Sequence, residues 1–187
     1  FDVDAGAERM RIRRIGRNEL AAMQAVLAYY DAQVEYAEQD RNNDGRLEYA
    51  QKLISTQGKQ DGLYWEAAAG DSPSPLGHLF ADTTPGNAYH GYHYRILTSQ
   101  GEHAKGGAYP YIVGSRRIGG FALVAWPAEY GDSGVLSFLV SHDGRVYEKD
   151  LGPDVAISAS ALEIFDPAPG WEPVKEVKEQ QLGQKKE

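Results

Sequence analysis

Five positions in one short stretch carry the most pointed chemistry in this chain. Asp40, Asn42, Asp44, Gly45 and Glu48 stand where a helix–loop–helix calcium site places its opening residues. Oxygen side chains at alternate positions converge on a hard cation, and the glycine allows the sharp turn between them. The set expected to surround one ion is Asp40, Asn42, Asp44, the Arg46 carbonyl and Glu48, with Leu47 at the apolar position of such loops. The twelfth position holds Gln51 instead of the carboxylate that closes a tight site, so a bound calcium is expected to be held weakly. A helix-ending turn rich in Asn, Asp and Gly would use the same residues without an ion.

Two further groupings have the residue types of a reactive site. Gly131-Asp132-Ser133-Gly134 resembles the nucleophile segment of chymotrypsin-like proteases. A serine needs a base within hydrogen-bond reach and an oxyanion hole. The segment that would deliver the histidine is missing and Val135 replaces the expected glycine, so these residues are read as a turn between strands. His90 and His93 bracket Gly91-Tyr92; on a strand their odd spacing sends them to opposite faces, which cannot clamp one metal. They are read as structural histidines. The 12 tyrosines and 3 tryptophans stand out more than any motif, and packing of cores and interfaces is their expected use, with stacking on sugars as the ligand-binding alternative.

Composition narrows the classes. The chain has 187 residues, 42% hydrophobic and 25% charged, enough to bury a core without crosslinks. A net charge of −8 argues against general nucleic-acid binding, which needs a basic face. Arg9, Arg11, Arg13, Arg14 and Arg17 are the local exception, a solvated basic segment or a contact for an anionic membrane surface or acidic partner. The absence of cysteine removes disulfides, thiolate metal sites and cysteine nucleophiles. No apolar run is long enough to span a bilayer as a helix, so no transmembrane segment is expected. The sequence opens at Phe1, not Met, which is expected of a processed or trimmed product.

The elements that must position these residues are those of an α+β fold. Asn18 reads as a helix N-cap with Glu19 in the first turn. Leu20, Met23, Leu27, Tyr30, Val34 and Ala37 recur at three- and four-residue steps, predicting an amphipathic helix to about Gln39 whose buried side is Leu20, Met23, Leu27, Tyr30 and Val34. The same stripe also suits bundling with copies of itself. Leu47, Ala50, Leu53 and Ile54 suggest a short second helix, and residues 56–88 a long ordered loop anchored by Leu63, Tyr64, Trp65, Leu79 and Phe80. Strands follow at Tyr89–Thr98, Ala108–Val113 (at a sheet edge because of Pro110), Phe121–Trp126 (at the sheet's centre) and Val135–Ser141. Asp143-Gly144 then turns the chain into Arg145–Lys149, completing an antiparallel meander. Residues 1–172 form one domain in this reading and residues 173–187 a polar C-terminal tail.

Several segments together carry a resemblance. Arg17 to Ala21, Tyr29 to Tyr36, Asp61 to Trp65, Ser74 to Gly77, His90 to Thr98, Gly119 to Gly131 and Val146 to Pro153 look like the bacterial "protein of unknown function" family numbered 2950. That resemblance implies an exported envelope protein, with no activity attached, and longer members carry a portion preceding this region. A looser resemblance is to type IV pilin-like headgroups, which also place a helix first, then a glycine- and tyrosine-bearing strand such as Gly91 to Tyr94, then a hairpin like residues 135–149. Pilins open with a long apolar helix half, whereas Phe1-Asp2-Val3-Asp4 opens a polar stretch, so the likeness implies fold and not filament formation.

The expectation is therefore a non-enzymatic periplasmic or extracellular protein that acts by assembly or docking. Its partner would be a second copy, through the first helix or the tail, or another envelope protein, and calcium is the one cofactor considered. The alternative is a module that binds or hydrolyses cell-wall glycans.

Overall fold

The computed structural model describes residues 3–67, 72–77 and 88–175. It opens on a single α-helix, α1, Val3–Tyr36. No proline interrupts this stretch, and Ala, Arg, Glu, Leu and Gln dominate it, so propensity alone favours one unbroken rod of about 50 Å. The helix thus begins well before Asn18, correcting the expected N-cap there.

The strands come next. They are β1 (Tyr92–Leu97), β2 (Ser99–Gln100), β3 (Tyr109–Pro110), β4 (Ile112–Val113), β5 (Arg116–Arg117), β6 (Ala122–Pro127), β7 (Leu136–Ser141) and β8 (Val146–Asp150). A short helix α2 (Val155–Ser160) precedes β9 (Ile164–Phe165) and β10 (Glu172–Pro173). The main sheet is antiparallel in the order β1-β6-β7-β8-β10, so β7 and not β6 is central. The Asp143-Gly144 hairpin forms as expected, pairing Val140 with Val146, and Gly144 adopts the positive φ of 77° that the turn requires. Pro110 lies on an edge strand, in a small sheet ordered β3-β2-β9.

All six residues of β6 are buried because both faces of the sheet are covered. Leu123, Ala125, Phe138 and Val140 point toward α1, meeting Ala22, Ala25, Val26 and Tyr29. Ala122, Val124 and Leu139 point the other way, onto Val155, Ala159 and Phe165. The alternation follows from strand geometry, and each face fills a separate core.

Two expectations about the helical part are corrected. The side of α1 that meets the sheet is Ala22, Ala25, Val26, Tyr29, Ala32, Gln33 and Tyr36, all buried. Leu20, Leu27 and Val34 are 46%, 41% and 42% exposed, with Met23 and Tyr30 half-buried between them. Small residues let the rod lie close to the sheet, and Tyr29 stands between them with its ring edge on Phe121 at 5.8 Å. The second helix proposed over Leu47–Ser55 does not form. Gln33 takes both backbone groups of Ala50 at 2.9 Å, and Leu63 and Tyr64 donate to the carbonyls of Lys52 and Leu53 at 3.0 and 2.8 Å, which commits the segment to an extended path.

Of the loop anchors, Leu63 and Trp65 are buried and Tyr64 is half-buried, while Leu79 and Phe80 lie outside the described residues. Glu172–Pro173 pairs with β8 and Val174 donates to the Val146 carbonyl at 2.9 Å, so the sheet takes in the start of the proposed tail. Residues 176–187 lie outside the described residues.

Candidate functional site

The serine turn is best understood from the helix that grips it. Ser133 is 9% exposed and its hydroxyl closes a local turn, accepting from Glu129 N–H at 2.9 Å and donating to the Glu129 carbonyl at 3.1 Å. Asn18 donates its side-chain amide to the Ser133 carbonyl at 2.9 Å, and Glu19 accepts from the backbone N–H groups of Val135 and Leu136 at 3.0 and 3.1 Å. Arg11 reaches the Gly131 carbonyl and Arg14 reaches Asp132. A side chain at Gly134 would collide with the hydroxyl of Tyr92, which donates to the Leu136 carbonyl at 2.8 Å. Gly131 to Gly134 is thus a receptor for α1 on the approach to β7, and Asn18 and Glu19 serve it from mid-helix.

The acidic loop folds around a guanidinium. Asp40 accepts from the N–H groups of Asp44 at 3.2 Å and Gly45 at 2.7 Å, and Asn42 accepts a further bond from Asp44 N–H at 3.1 Å. Asp44 in turn accepts from Arg46 N–H at 3.0 Å. Arg116 on β5 pairs with Asp44 at 2.7 Å and Glu48 at 3.3 Å, and Asn42 donates to Glu48 at 2.9 Å. The bond and charge of Arg116 hold the Asp44 carboxyl below its ordinary value, despite some opposing desolvation. Gln51 turns away to donate to the Ser115 carbonyl at 2.7 Å. Asp40, Asn42, Asp44 and Glu48 thus belong to one loop tied by these bonds, to which Arg46 contributes its N–H. The positive charge among them belongs to the protein, and a calcium ion would have to displace Arg116. In this arrangement the donor set does not fit the ion.

The histidines separate. His90 sits in the turn ahead of β1 with φ of 50°, its ring 4.3 Å from Tyr89, and so is not a strand residue as expected. His93 lies on β1 and packs on Trp126 at 5.6 Å. A third, His103, escaped the sequence reading; its Nδ1 lies 3.1 Å from both Asp166 oxygens, tying the turn after β2 to the segment after β9. Also missed was Arg117, 1% exposed, whose Nη1 donates to the Leu97 carbonyl at 2.8 Å. Burial lowers its pKa, partly offset by Tyr29 and Tyr111, and it makes no ion pair among the described residues. No spacing marks such residues, because their partners are distant in the chain.

None of the 12 tyrosines and 3 tryptophans occupies an exposed position. Several form one aromatic stack beneath the helix, where Tyr29, Tyr30 and Tyr49 surround Phe121 at 4.9–5.8 Å. Much of the aromatic surplus is thus spent on the core.

One row of uncovered apolar side chains lies on α1. Leu20, Leu27 and Val34 follow at seven-residue intervals on the side turned from the sheet. Met23 and Leu27 border a groove of about 480 Å³ shared with Asp143–Val146 and Pro173–Lys175. Leu20 and Met23 border its continuation of about 450 Å³, beside Leu136 and Phe138. Among the described residues, no helix is long and apolar enough to cross a membrane.

The family described as protein of unknown function (DUF2950) has a model that matches residues 1–174. No curated protein and no solved structure matches the chain. The pilin-like resemblance is an analogy in element order, a helix followed by an antiparallel sheet.

Proposed function

The chain belongs to the DUF2950 family, and from that premise we propose that it acts by docking, with the outward face of α1 as its contact surface, in the bacterial cell envelope or outside the cell. The observation that carries the reading is the Leu20–Leu27–Val34 row, left more than two-fifths exposed on the longest element of the fold. Aliphatic side chains at seven-residue spacing on a rigid helix form a seam for another helix, and burying them against a partner recovers the free energy lost by exposing them to water. The residues with reactive chemistry support the same reading, since Ser133, His103 and the acidic loop are engaged in holding turns to strands. The envelope location follows from what the family resemblance implies.

A photo-crosslinking residue at position 27, compared with one at Leu47 (56% exposed, on the acidic loop), tests the surface in producing cells. Adducts of discrete mass at position 27 and not at 47 are expected. Their absence at 27 would overturn docking through this face, and recovery of the protein only in the cytoplasmic fraction would overturn the location.

A further inference from the structure

We infer that the partner of this face is α1 of a second copy of the chain, packed antiparallel, with Arg13 and Arg17 of each copy set against Asp31 and Glu35 of the other. The inference rests on the docking reading above and adds the partner's identity and orientation.

Charge along the uncovered face divides by position. Arg9, Arg13 and Arg17 occupy its N-terminal half, Leu20 and Leu27 its middle, and Asp31 and Glu35 its C-terminal half, all but the leucines charged and all exposed. The arginines that flank this row are already engaged, Arg11 with Glu8 and the Gly131 carbonyl and Arg14 with Asp132. Arg13, Arg17, Asp31 and Glu35 make no ion pair among the described residues. They cannot satisfy one another within a chain, because Arg17 and Asp31 are about 21 Å apart along the axis at 1.5 Å per residue. The last turn of α1 also holds Glu35 and no basic residue.

An antiparallel copy centred on Gln24 resolves these features together. Residue positions then sum to about 48 across the pair, which sets Arg17 beside Asp31, Arg13 beside Glu35, and Leu20 within about 1.5 Å of the level of Leu27. With Leu20, Leu27 and Val34 as the core positions of a heptad, Arg17, Gln24 and Asp31 fall on the flanking positions that set helix orientation in coiled coils. A parallel copy would instead align arginines with arginines and acids with acids. Gly16 lies on the same side with nothing within 4 Å of where its side chain would be, and so leaves room for the facing helix. The sheet occupies the other side of α1, so the pair is closed and two-fold.

Sedimentation equilibrium of the whole purified chain at low salt provides the test, with circular dichroism to confirm that each variant is folded. Wild type is expected to dimerise, with affinity that falls as salt rises. Arg13→Glu/Arg17→Glu and Asp31→Lys/Glu35→Lys should each weaken self-association at least about tenfold, since like charges then face one another. An equimolar mixture of the two variants should restore a dimer containing one of each. A wild type that is monomeric at about 0.5 mM, well above the concentrations of stable dimers, overturns the inference. So does a dimer that neither charge reversal weakens, or binding of anionic phospholipid vesicles that Arg13→Glu/Arg17→Glu abolishes in a protein that stays monomeric. In the monomeric cases, position-27 adducts to a protein of another mass would leave the docking reading standing while removing the self-pairing.

Discussion

On α1 the face turned to the sheet is built from Ala22, Ala25, Val26, Tyr29, Ala32, Gln33 and Tyr36, while Leu20, Leu27 and Val34 stand on the face turned away. Both leucines of the helix are thus uncovered, while Val26 is buried. The inward face is selected for closeness: alanines bring the backbone near β6 and β7, and Tyr29, Gln33 and Tyr36 reach past them to particular backbone groups. Leu20, Leu27 and Val34 on the outward face have no polar group with which to do the same. Hydrophobic size and burial therefore come apart on one helix, and the Leu20–Leu27–Val34 row lies outside the core.

The largest expected effect tests the inward face. Tyr29→Ala should lower stability by about 3–5 kcal/mol, because a fully buried ring leaves a void against Phe121 that the sheet cannot close. Urea unfolding would read it, and a loss below about 1 kcal/mol would mean that the helix is not seated on this ring. Gln33→Leu comes next, at about 2–4 kcal/mol. The leucine fills similar space but strands the N–H and carbonyl of Ala50, which Gln33 now satisfies at 2.9 Å each. A neutral outcome would show that the 47–55 segment finds other partners.

A smaller effect is expected where the inward face meets its loop. Tyr36 donates to the Gln60 carbonyl at 2.9 Å, and the neighbouring Asp61 clasps Lys52 at 2.7 Å and the Thr56 N–H at 2.7 Å. Desolvation alone would raise the Asp61 carboxyl, but the bonds from Lys52 and Thr56 outweigh it and bring the group from 3.8 to about 2. A carboxylate depressed by folding stabilises above its unfolded value, and that contribution is lost as pH falls from about 3.8 through about 2. Asp61→Asn should therefore cost about 1 kcal/mol at neutral pH, after allowance for solvent screening, and almost nothing at pH near 2. An equal deficit at both pH values would assign the effect to packing.

The smallest effect sharpens the contrast most. Leu27→Ala in dilute protein should change stability by less than about 1 kcal/mol, since its side chain is already 41% exposed. A loss as large as that of Tyr29→Ala would place Leu27 in the core and dissolve the distinction between the faces.

Much of the fold is legible in the residues. The period-two pattern of Leu136, Phe138 and Val140, with Asp143-Gly144 behind it, specifies β7, its turn and β8 because each part is local. Errors arose where a residue's partner is far away. Asn18 and Glu19 have the chemistry of a helix start, yet they bond to Ser133, Val135 and Leu136 more than a hundred positions later. The acidic loop has the spacing of an ion site, and the guanidinium that stands among its carboxylates, Arg116, comes from a strand 72 residues beyond Asp44, which no local spacing announces.

By itself the sequence determined an α+β fold with the helix first, the hairpin, and the pattern of apolar and charged residues along α1. Those depend on propensity and on periodicity within one element, which neighbouring residues encode directly. Only the tertiary structure decided which side of α1 is buried. Seven-residue spacing makes a helix two-sided without saying which side the sheet will take, and that choice goes to the side whose small residues permit the closest approach and whose polar groups find backbone partners.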